Sequence, residues 1–322
     1  MIERINLAHL PTPIEALPRL SSLLNGPKIY IKRDDQTGLA MGGNKTRKLE
    51  FLLADALAQG AKLLLSAGAV QSNHCRQVAA AAARYGLGCT LILTGEPPAQ
   101  ADGNLLLDKI LGAQIIFTSR ENRDRLLQET YAQAEAAGQS PYLIPYGGSN
   151  ATGALAYAAA FEEMMNQGMQ PDWVIFASSS GGTQAGMILG AHITGFKGKI
   201  LGISVDVHTE TLQQTVAPLV AAAAQKRGMQ VDCAPTDVLV NADYIGRGYG
   251  IMGQGEIEAI ELFARNEGIL LDPVYTGRAA SGMIDLVREG QFKPGEKLLF
   301  WHTGGTPALF AQKYSRELSR AV

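Results

Sequence analysis

The chain has 322 residues, more than one ordinary core needs and enough for two packed lobes of usual size. Its formal net charge is −2, with 28 Lys and Arg mixed among 30 Asp and Glu, so the basic stripe of a nucleic-acid binder is missing and a small anionic or zwitterionic ligand is expected. Three cysteines, Cys75, Cys89 and Cys233, are an odd number without metal-ligand spacing, which argues against a disulfide scaffold and offers no metal site. Cys75 follows His74 and is expected to be a buried, inert thiol. No window reaches the length of a membrane span, and the opening Met1-Ile2-Glu3-Arg4-Ile5-Asn6 has no apolar core with a cleavage site, so a cytoplasmic protein is expected.

In chain order, short β-rich apolar runs alternate with longer Ala-rich helical stretches. The turn Gly42-Gly43 opens a helix through Asn44-Lys45-Thr46-Arg47-Lys48. Leu63-Leu64-Leu65 reads as a strand, followed by a turn at Gly68, the segment Gln71-Ser72-Asn73-His74 and a helix through Val78 to Tyr85. Further strands are expected at Thr90-Leu91-Ile92-Leu93, Ile115-Ile116-Phe117, Tyr142-Leu143-Ile144, Val174-Ile175-Phe176, Leu201-Gly202-Ile203-Ser204 and Leu298-Leu299-Phe300-Trp301. Glu96-Pro97-Pro98-Ala99-Gln100 reads as an exposed turn, and neither repeats nor low-complexity segments occur. This rhythm predicts an α/β protein with parallel sheets covered on both faces. In such folds ligands meet the carboxyl ends of strands, where Gly147-Gly148-Ser149-Asn150, Ser178 to Thr183 and Thr303-Gly304-Gly305-Thr306 supply glycine-rich turns.

Two of these segments carry chemistry. Lys45 is the candidate amine for holding an aldehyde cofactor, because a lysine at a cleft edge is partly desolvated and its pKa falls. A basic cluster at a helix start is also what a solvated face looks like. Yet the helix macrodipole makes each cation there a cost of roughly 0.3–1 kcal/mol, which a nearby phosphate or carboxylate would offset. Ser180-Gly181-Gly182-Thr183, between a buried strand and a helix beginning near Gln184, suits a phosphate: backbone N–H groups close on the oxygens and two hydroxyls add donors. The Walker lysine and the Gly-x-Gly-x-x-Gly spacing are both missing, which disfavours a nucleotide or a dinucleotide oxidoreductase. An aldehyde site coupled to a phosphate site points to pyridoxal phosphate.

The segments Gly42 to Glu50, Gln71 to His74, Ser180 to Gly186, Asp272 to Gly277 and His302 to Gly305 together resemble the D-cysteine desulfhydrase and 1-aminocyclopropane-1-carboxylate deaminase family, nearly end to end. The resemblance implies the tryptophan-synthase-β-like fold (fold type II of pyridoxal phosphate enzymes): two parallel-sheet α/β domains with the active site between them, usually as a homodimer. Residues 1–46 plus 158–322 would form the large cofactor-binding domain, with residues 47–157 inserted as the small one. Residue by residue, the family pattern makes Lys45 the Schiff-base lysine, assisted by Asn44, and puts Asn73 on the cofactor's phenolic oxygen. Ser180, Gly181, Gly182 and Thr183 would hold the phosphate. Ser72, Gln71 and His74 would face the substrate, and Tyr249 and Tyr275 would act as hydroxyl acids or orienting groups. A tyrosine is otherwise most often a packed ring with a satisfied hydroxyl.

The departures bear on the reaction. Ring-opening deaminases carry Glu beside the second tyrosine and Leu in the final glycine turn, whereas this chain has Thr276 and Thr303. A threonine at the pyridine nitrogen leaves a weaker electron sink, adequate for expelling a good leaving group from Cβ. The resemblance therefore implies an α,β-elimination, D-cysteine giving pyruvate, hydrogen sulfide and ammonia. L-cysteate sulfo-lyase is the nearest alternative, slightly favoured by Thr306, with Arg47, Arg247 and Arg278 as candidates to meet the sulfonate. 1-Aminocyclopropane-1-carboxylate deaminase, a racemase or synthase, and a pyridoxal phosphate binding protein without lyase activity are the others. Gly248-Tyr249-Gly250-Ile251-Met252-Gly253 departs from the relatives' usual sequence, so the substrate-side loop transfers least well.

Overall fold

The computed structural model describes residues 3–321. Among the described residues ten strands form two sheets, and the second is inserted in sequence between two strands of the first. The larger runs in the order β1 (Ile14–Ala16), β2 (Lys28–Arg33), β10 (Lys297–His302), β7 (Trp173–Ser178), β8 (Lys199–Ser204), β9 (Leu239–Asn241). The smaller runs β5 (Gln114–Thr118), β4 (Gly88–Thr94), β3 (Leu63–Ala69), β6 (Pro141–Leu143). All pairs are parallel except β1–β2, which is antiparallel. Helices connect and flank the strands: α1 (Pro18–Leu24), α2 (Asn44–Ala58), α3 (Asn73–Arg84), α4 (Gly103–Ile110), α5 (Arg123–Ala136) and α6 (Ala151–Asn166). They continue with α7 (Gly182–Thr194), α8 (Thr209–Lys226), α9 (Gln254–Glu267), α10 (Thr276–Arg288) and α11 (Gln312–Ala321). This is the α/β class expected from the alternation of β-rich and Ala-rich runs.

Every strand anticipated in the sequence is present, with Ile144 falling just outside β6. Three strands were not anticipated. β1 and β9 have only three residues each, and β2 interleaves lysines with its isoleucines. Lys32 in β2 is fully buried, because its ammonium finds counter-charges inside the protein.

Helix α2 joins the two sheets. Its Leu49, Leu52, Leu53 and Ala56 enter the core under the small sheet, while Phe51 packs with α6, α7 and α8. Helices α6 and α7 approach backbone to backbone, since a Cβ on Gly186 would lie 2.1 Å from the Ala154 carbonyl oxygen and one on Gly190 2.5 Å from Phe161 Cβ. Any larger residue there would force the helices apart.

A buried ionic cluster ties the large sheet to α2 and α6. Asp34 accepts from Arg47 Nε (2.9 Å) and Nη2 (2.8 Å), Tyr157 Oη (2.6 Å), Trp301 Nε1 (2.8 Å) and Thr12 Oγ1 (2.9 Å). Glu163 accepts from both Nη atoms of Arg47 and from Lys32 Nζ at 2.6 Å. Two cations and two carboxylates thus sum to zero charge in a region where an unpaired ion is costly. Burial alone would push the Asp34 carboxyl up, but Arg47 and Lys32 outweigh it and hold it below its ordinary range.

A lowered carboxyl pKa stabilises the fold above the unfolded value of about 3.9 and loses that contribution as pH falls through the lower folded value. Asp34→Asn strips Arg47 and Lys32 of one of their two counter-charges. It is expected to cost about 3–5 kcal/mol of unfolding free energy at neutral pH. Urea denaturation measures this, and a loss below about 1 kcal/mol would remove the cluster from its supporting role.

Candidate active site

A cavity opens where the carboxyl ends of strands from both sheets meet, and most of the singled-out segments converge on it. From the large sheet come the β7–α7 turn (Ser178 to Gly181, with Thr183), Tyr275 before α10, and Thr303 and Gly304 after β10. From the small sheet come Ala67 and the β3–α3 turn with Ser72, Asn73 and His74. Asn44 and Lys45, at the start of α2, lie between them.

The turn before α2 is set by backbone constraints. Gly42 has φ +67°, and a Cβ there would fall 1.9 Å from the Asp35 carbonyl oxygen, so no larger residue fits. The Asn44 N–H donates to the Thr303 carbonyl at 2.9 Å, fastening the helix start to the end of β10. The three basic residues then diverge. Arg47 turns into the Asp34 cluster, and Lys48 Nζ donates to Gly147 O (3.0 Å) and Ser149 Oγ (3.2 Å). Lys45 makes no hydrogen bond or ion pair among the described residues, and burial pushes its amine down to about 8. Burial, and then the neighbouring Lys45, also hold Lys48 well below its ordinary value.

Across the cavity stands an anion cradle. Helix α7 begins at Gly182, two residues earlier than expected, with Gly181 before it at φ +79°. Its first-turn N–H groups have no carbonyl partners four residues back and carry the positive end of the helix dipole. Ser180 and Ser149 share a hydroxyl bond of 2.8 Å, Gly182 N–H donates to Ser149 Oγ at 3.2 Å, and Asn44 Nδ2 reaches Thr183 Oγ1 at 3.2 Å. A Cβ on Gly182 would meet Ser149 Oγ at 2.6 Å, so Gly182 keeps this turn compact while Ser180, Gly181 and Thr183 line the cavity.

On the small-sheet side, Ser72 caps α3, its Oγ accepting from Cys75 N–H at 3.2 Å. Asn73 has its Oδ1 engaged with Arg76 and Asn104 and its Nδ2 free, leaving a donor for an anionic oxygen. His74 Nε2 lies 2.9 Å from Ser66 Oγ. Burial, with Lys45 and Lys48 adding to it, pushes the imidazole well below its usual range, so His74 is neutral. Burial likewise pushes the Cys75 thiol well above its ordinary range, as an inert cysteine requires.

Tyr275 lines the cavity, and Tyr249 stands behind it with the two hydroxyls 2.6 Å apart. Burial drives both phenols well above their ordinary range, so the pair is protonated and able to donate. Tyr249 is therefore linked to the cavity by its bond to Tyr275.

Several expectations are corrected here. Gln71 does not line the cavity: its Nε2 donates to Asp102 Oδ1 at 2.7 Å and its Oε1 accepts from Asn104 N–H at 2.8 Å. Thr276 does not line it either, because its hydroxyl donates to Asp272 Oδ1 at 2.8 Å, which leaves Thr303 as the threonine facing the site. None of the three arginines considered for a sulfonate lines the cavity. Arg47 belongs to the buried cluster, Arg247 lies 3.5 Å from the Met252 carbonyl, and Arg278 pairs with Glu256 (2.6 Å) while bonding carbonyls from Val205 to Ile251.

The sequence reading missed three contributors. Asp272, fully buried, accepts from the N–H groups of Val274, Tyr275 and Thr276 and so sets the direction of Tyr275. Its signal was an Asp four residues before a helix start. Ser149 lies in the Gly147-Gly148-Ser149-Asn150 turn, and Ser and Gly together mark anion cradles. Tyr146 lines the cavity with the Arg123 guanidinium 4.9 Å above its ring, and nothing in its local sequence announces that role.

An amine without a partner, a free amide donor and a glycine-tight anion cradle at a helix start fit the aldehyde, phenolic oxygen and phosphate of pyridoxal phosphate. Comparison with known proteins agrees. The family model for pyridoxal-phosphate dependent enzymes matches residues 5–304. A D-cysteine desulfhydrase from Klebsiella pneumoniae (strain 342) is 44% identical over 317 residues, covering 96% of this chain and 95% of the relative. The crystal structure of a 1-aminocyclopropane-1-carboxylate deaminase homologue superposes with a TM-score of 0.91 at 38% identity, covering 100% of this chain and 97% of that one. A hydrogen sulfide-producing enzyme from Fusobacterium nucleatum, at 16% identity and a TM-score of 0.64 over 96% of this chain and 97% of its own, shares the fold. The chain belongs to the pyridoxal-phosphate dependent enzymes, within the group that holds D-cysteine desulfhydrase and 1-aminocyclopropane-1-carboxylate deaminase.

Proposed function

We propose that this enzyme is a D-cysteine desulfhydrase: D-cysteine and water yield pyruvate, hydrogen sulfide and ammonia. The observation that carries the reading is Lys45, an unpaired amine with its pKa near 8, beside hydroxyl donors and opposite the α7 cradle. Pyridoxal phosphate, when bound, supplies the electron sink that makes the substrate's Cα–H acidic. Ser180, Gly181 and Thr183 with the α7 amides would hold its phosphate, Asn73 Nδ2 its phenolic oxygen, and Thr303 its ring nitrogen.

The side chains divide the proton work. Lys45 accepts the α-proton at Nζ, which requires the neutral amine that burial favours. Tyr275, backed by Tyr249, holds a proton that it can give to the departing sulfur. Ser72 Oγ orients the substrate carboxylate with its hydroxyl proton. The absence of a guanidinium among the lining residues favours a thiol-bearing substrate over a sulfonate. On the same resemblance we propose a homodimer working in the cytoplasm, and sedimentation equilibrium tests the assembly.

Three outcomes are expected. Lys45→Ala should lose both the visible absorbance of bound cofactor and turnover, and retention of either removes Lys45 from its role. Only the neutral amine captures an aldehyde, so the rate of cofactor uptake by apoprotein should rise with pH to a midpoint near 8. A rate still climbing at about 10.4, the unperturbed lysine value, contradicts the desolvated amine. Finally, D-cysteine, L-cysteate and 1-aminocyclopropane-1-carboxylate should be assayed side by side. Pyruvate with sulfide from D-cysteine is expected. Pyruvate with sulfite would mean a sulfo-lyase, and 2-oxobutanoate with ammonia would mean a deaminase.

A further inference from the structure

An asparagine can present either its oxygen or its NH2 to a ligand, so the use of Asn73 depends on what sets its amide. Two donors meet its Oδ1: Arg76 Nη1 at 3.1 Å and Asn104 Nδ2 at 3.0 Å. Asn104 is itself fixed, because its N–H donates to Gln71 Oε1 at 2.8 Å, its Nδ2 also reaches the Gln71 carbonyl at 3.1 Å, and its Oδ1 accepts from Arg76 Nη1. Turning Asn73 over would set its NH2 against two donors. The other arm of Arg76, Nη2, donates at 2.8 Å to the carbonyl of Gly42, in the turn that presents Lys45.

The guanidinium is fully buried, yet it is not placed by a carboxylate. Among the described residues its Nε has no hydrogen-bond partner, and neither does either carboxylate oxygen of buried Asp108. Its bonds run instead to Asn73, to Asn104 and to the Lys45 turn. We propose that Arg76, with Asn104, is a positioning residue that locks the Asn73 amide with its NH2 towards the cofactor's phenolic oxygen and ties that amide to the turn presenting Lys45. The proposal rests on the assignment of Asn73 made above.

The test is a spectroscopic pH titration of the holoenzyme, following the visible band of the lysine-bound cofactor. A donor on the phenolic oxygen draws charge from it and eases loss of the neighbouring proton, so removing the donor moves the midpoint up. Asn73→Ala is expected to raise the midpoint by about one pH unit, a tenfold change in proton affinity. Arg76→Gln should raise it by a comparable amount, and the double variant should go no higher than Asn73→Ala alone, because Arg76 acts through Asn73. An unmoved midpoint in Arg76→Gln, or shifts that add in the double variant, overturns the positioning role while leaving Asn73 assigned. An unmoved Asn73→Ala overturns that assignment and the proposal with it. If Arg76→Gln does not fold, Asn104→Ala enters the same cycle, with an upward shift that vanishes in the Asn73→Ala background expected and an additive or absent shift overturning.

Discussion

The pairing of Arg47 with Asp34 is the contact on which the site's geometry rests. Arg47 lies two residues beyond Lys45 on the same helix, and Asp34 lies just after β2. Their bond therefore fixes how far α2 is inserted between the two sheets and how its first turn is rotated. Tyr157 from α6 and Trp301 from β10 donate to the same carboxylate, so three elements are referenced to one side chain. Buried ion pairs are poor evidence for net stability, since hydrophobic replacements often do as well. What this one contributes is position: an apolar contact tolerates a slide of an ångström, whereas a bidentate guanidinium does not.

The same first turn shows how burial without partners differs from burial with them. Arg47 is buried, whereas Lys45 is half-buried at the cavity wall. Arg47 recovers the cost through four bonds to carboxylates and stays charged. Lys45 has no counter-ion and becomes a weaker base. Arg47 serves the fold while Lys45 is left unpaired in the cavity among the described residues, and its proximity adds to the burial that holds neighbouring Lys48, also without a carboxylate, well below its ordinary value.

Much of this was legible in the sequence, for identifiable reasons. The buried parallel strands announce themselves as apolar runs, and the turns that line the cavity as glycine with hydroxyl residues before helices. Lys45, Asn73 and Ser180 line one cavity, and the motifs that mark them are local in the sequence. What was not legible depends on partners far away in the chain. Lys32 looks exposed until Glu163 is placed beside it, 131 residues on, and Arg47 looks like a ligand until Asp34 claims it. Gln71 and Thr276 sit within the right motifs, yet their side chains are spent on Asp102 and Asp272. A motif gives the backbone's path; only the tertiary neighbours decide which way each side chain turns.

The contact between α6 and α7 through Gly186 and Gly190 makes the position of the anion cradle a property of main chain rather than of side chains. Side-chain packing can be renegotiated one substitution at a time, with each loss offset by a neighbour's gain. A main-chain contact has no such intermediate steps, because any added carbon lands on a carbonyl or a Cβ that cannot rotate away. Substitutions elsewhere around the cavity can therefore change its lining while the start of α7 stays where it is.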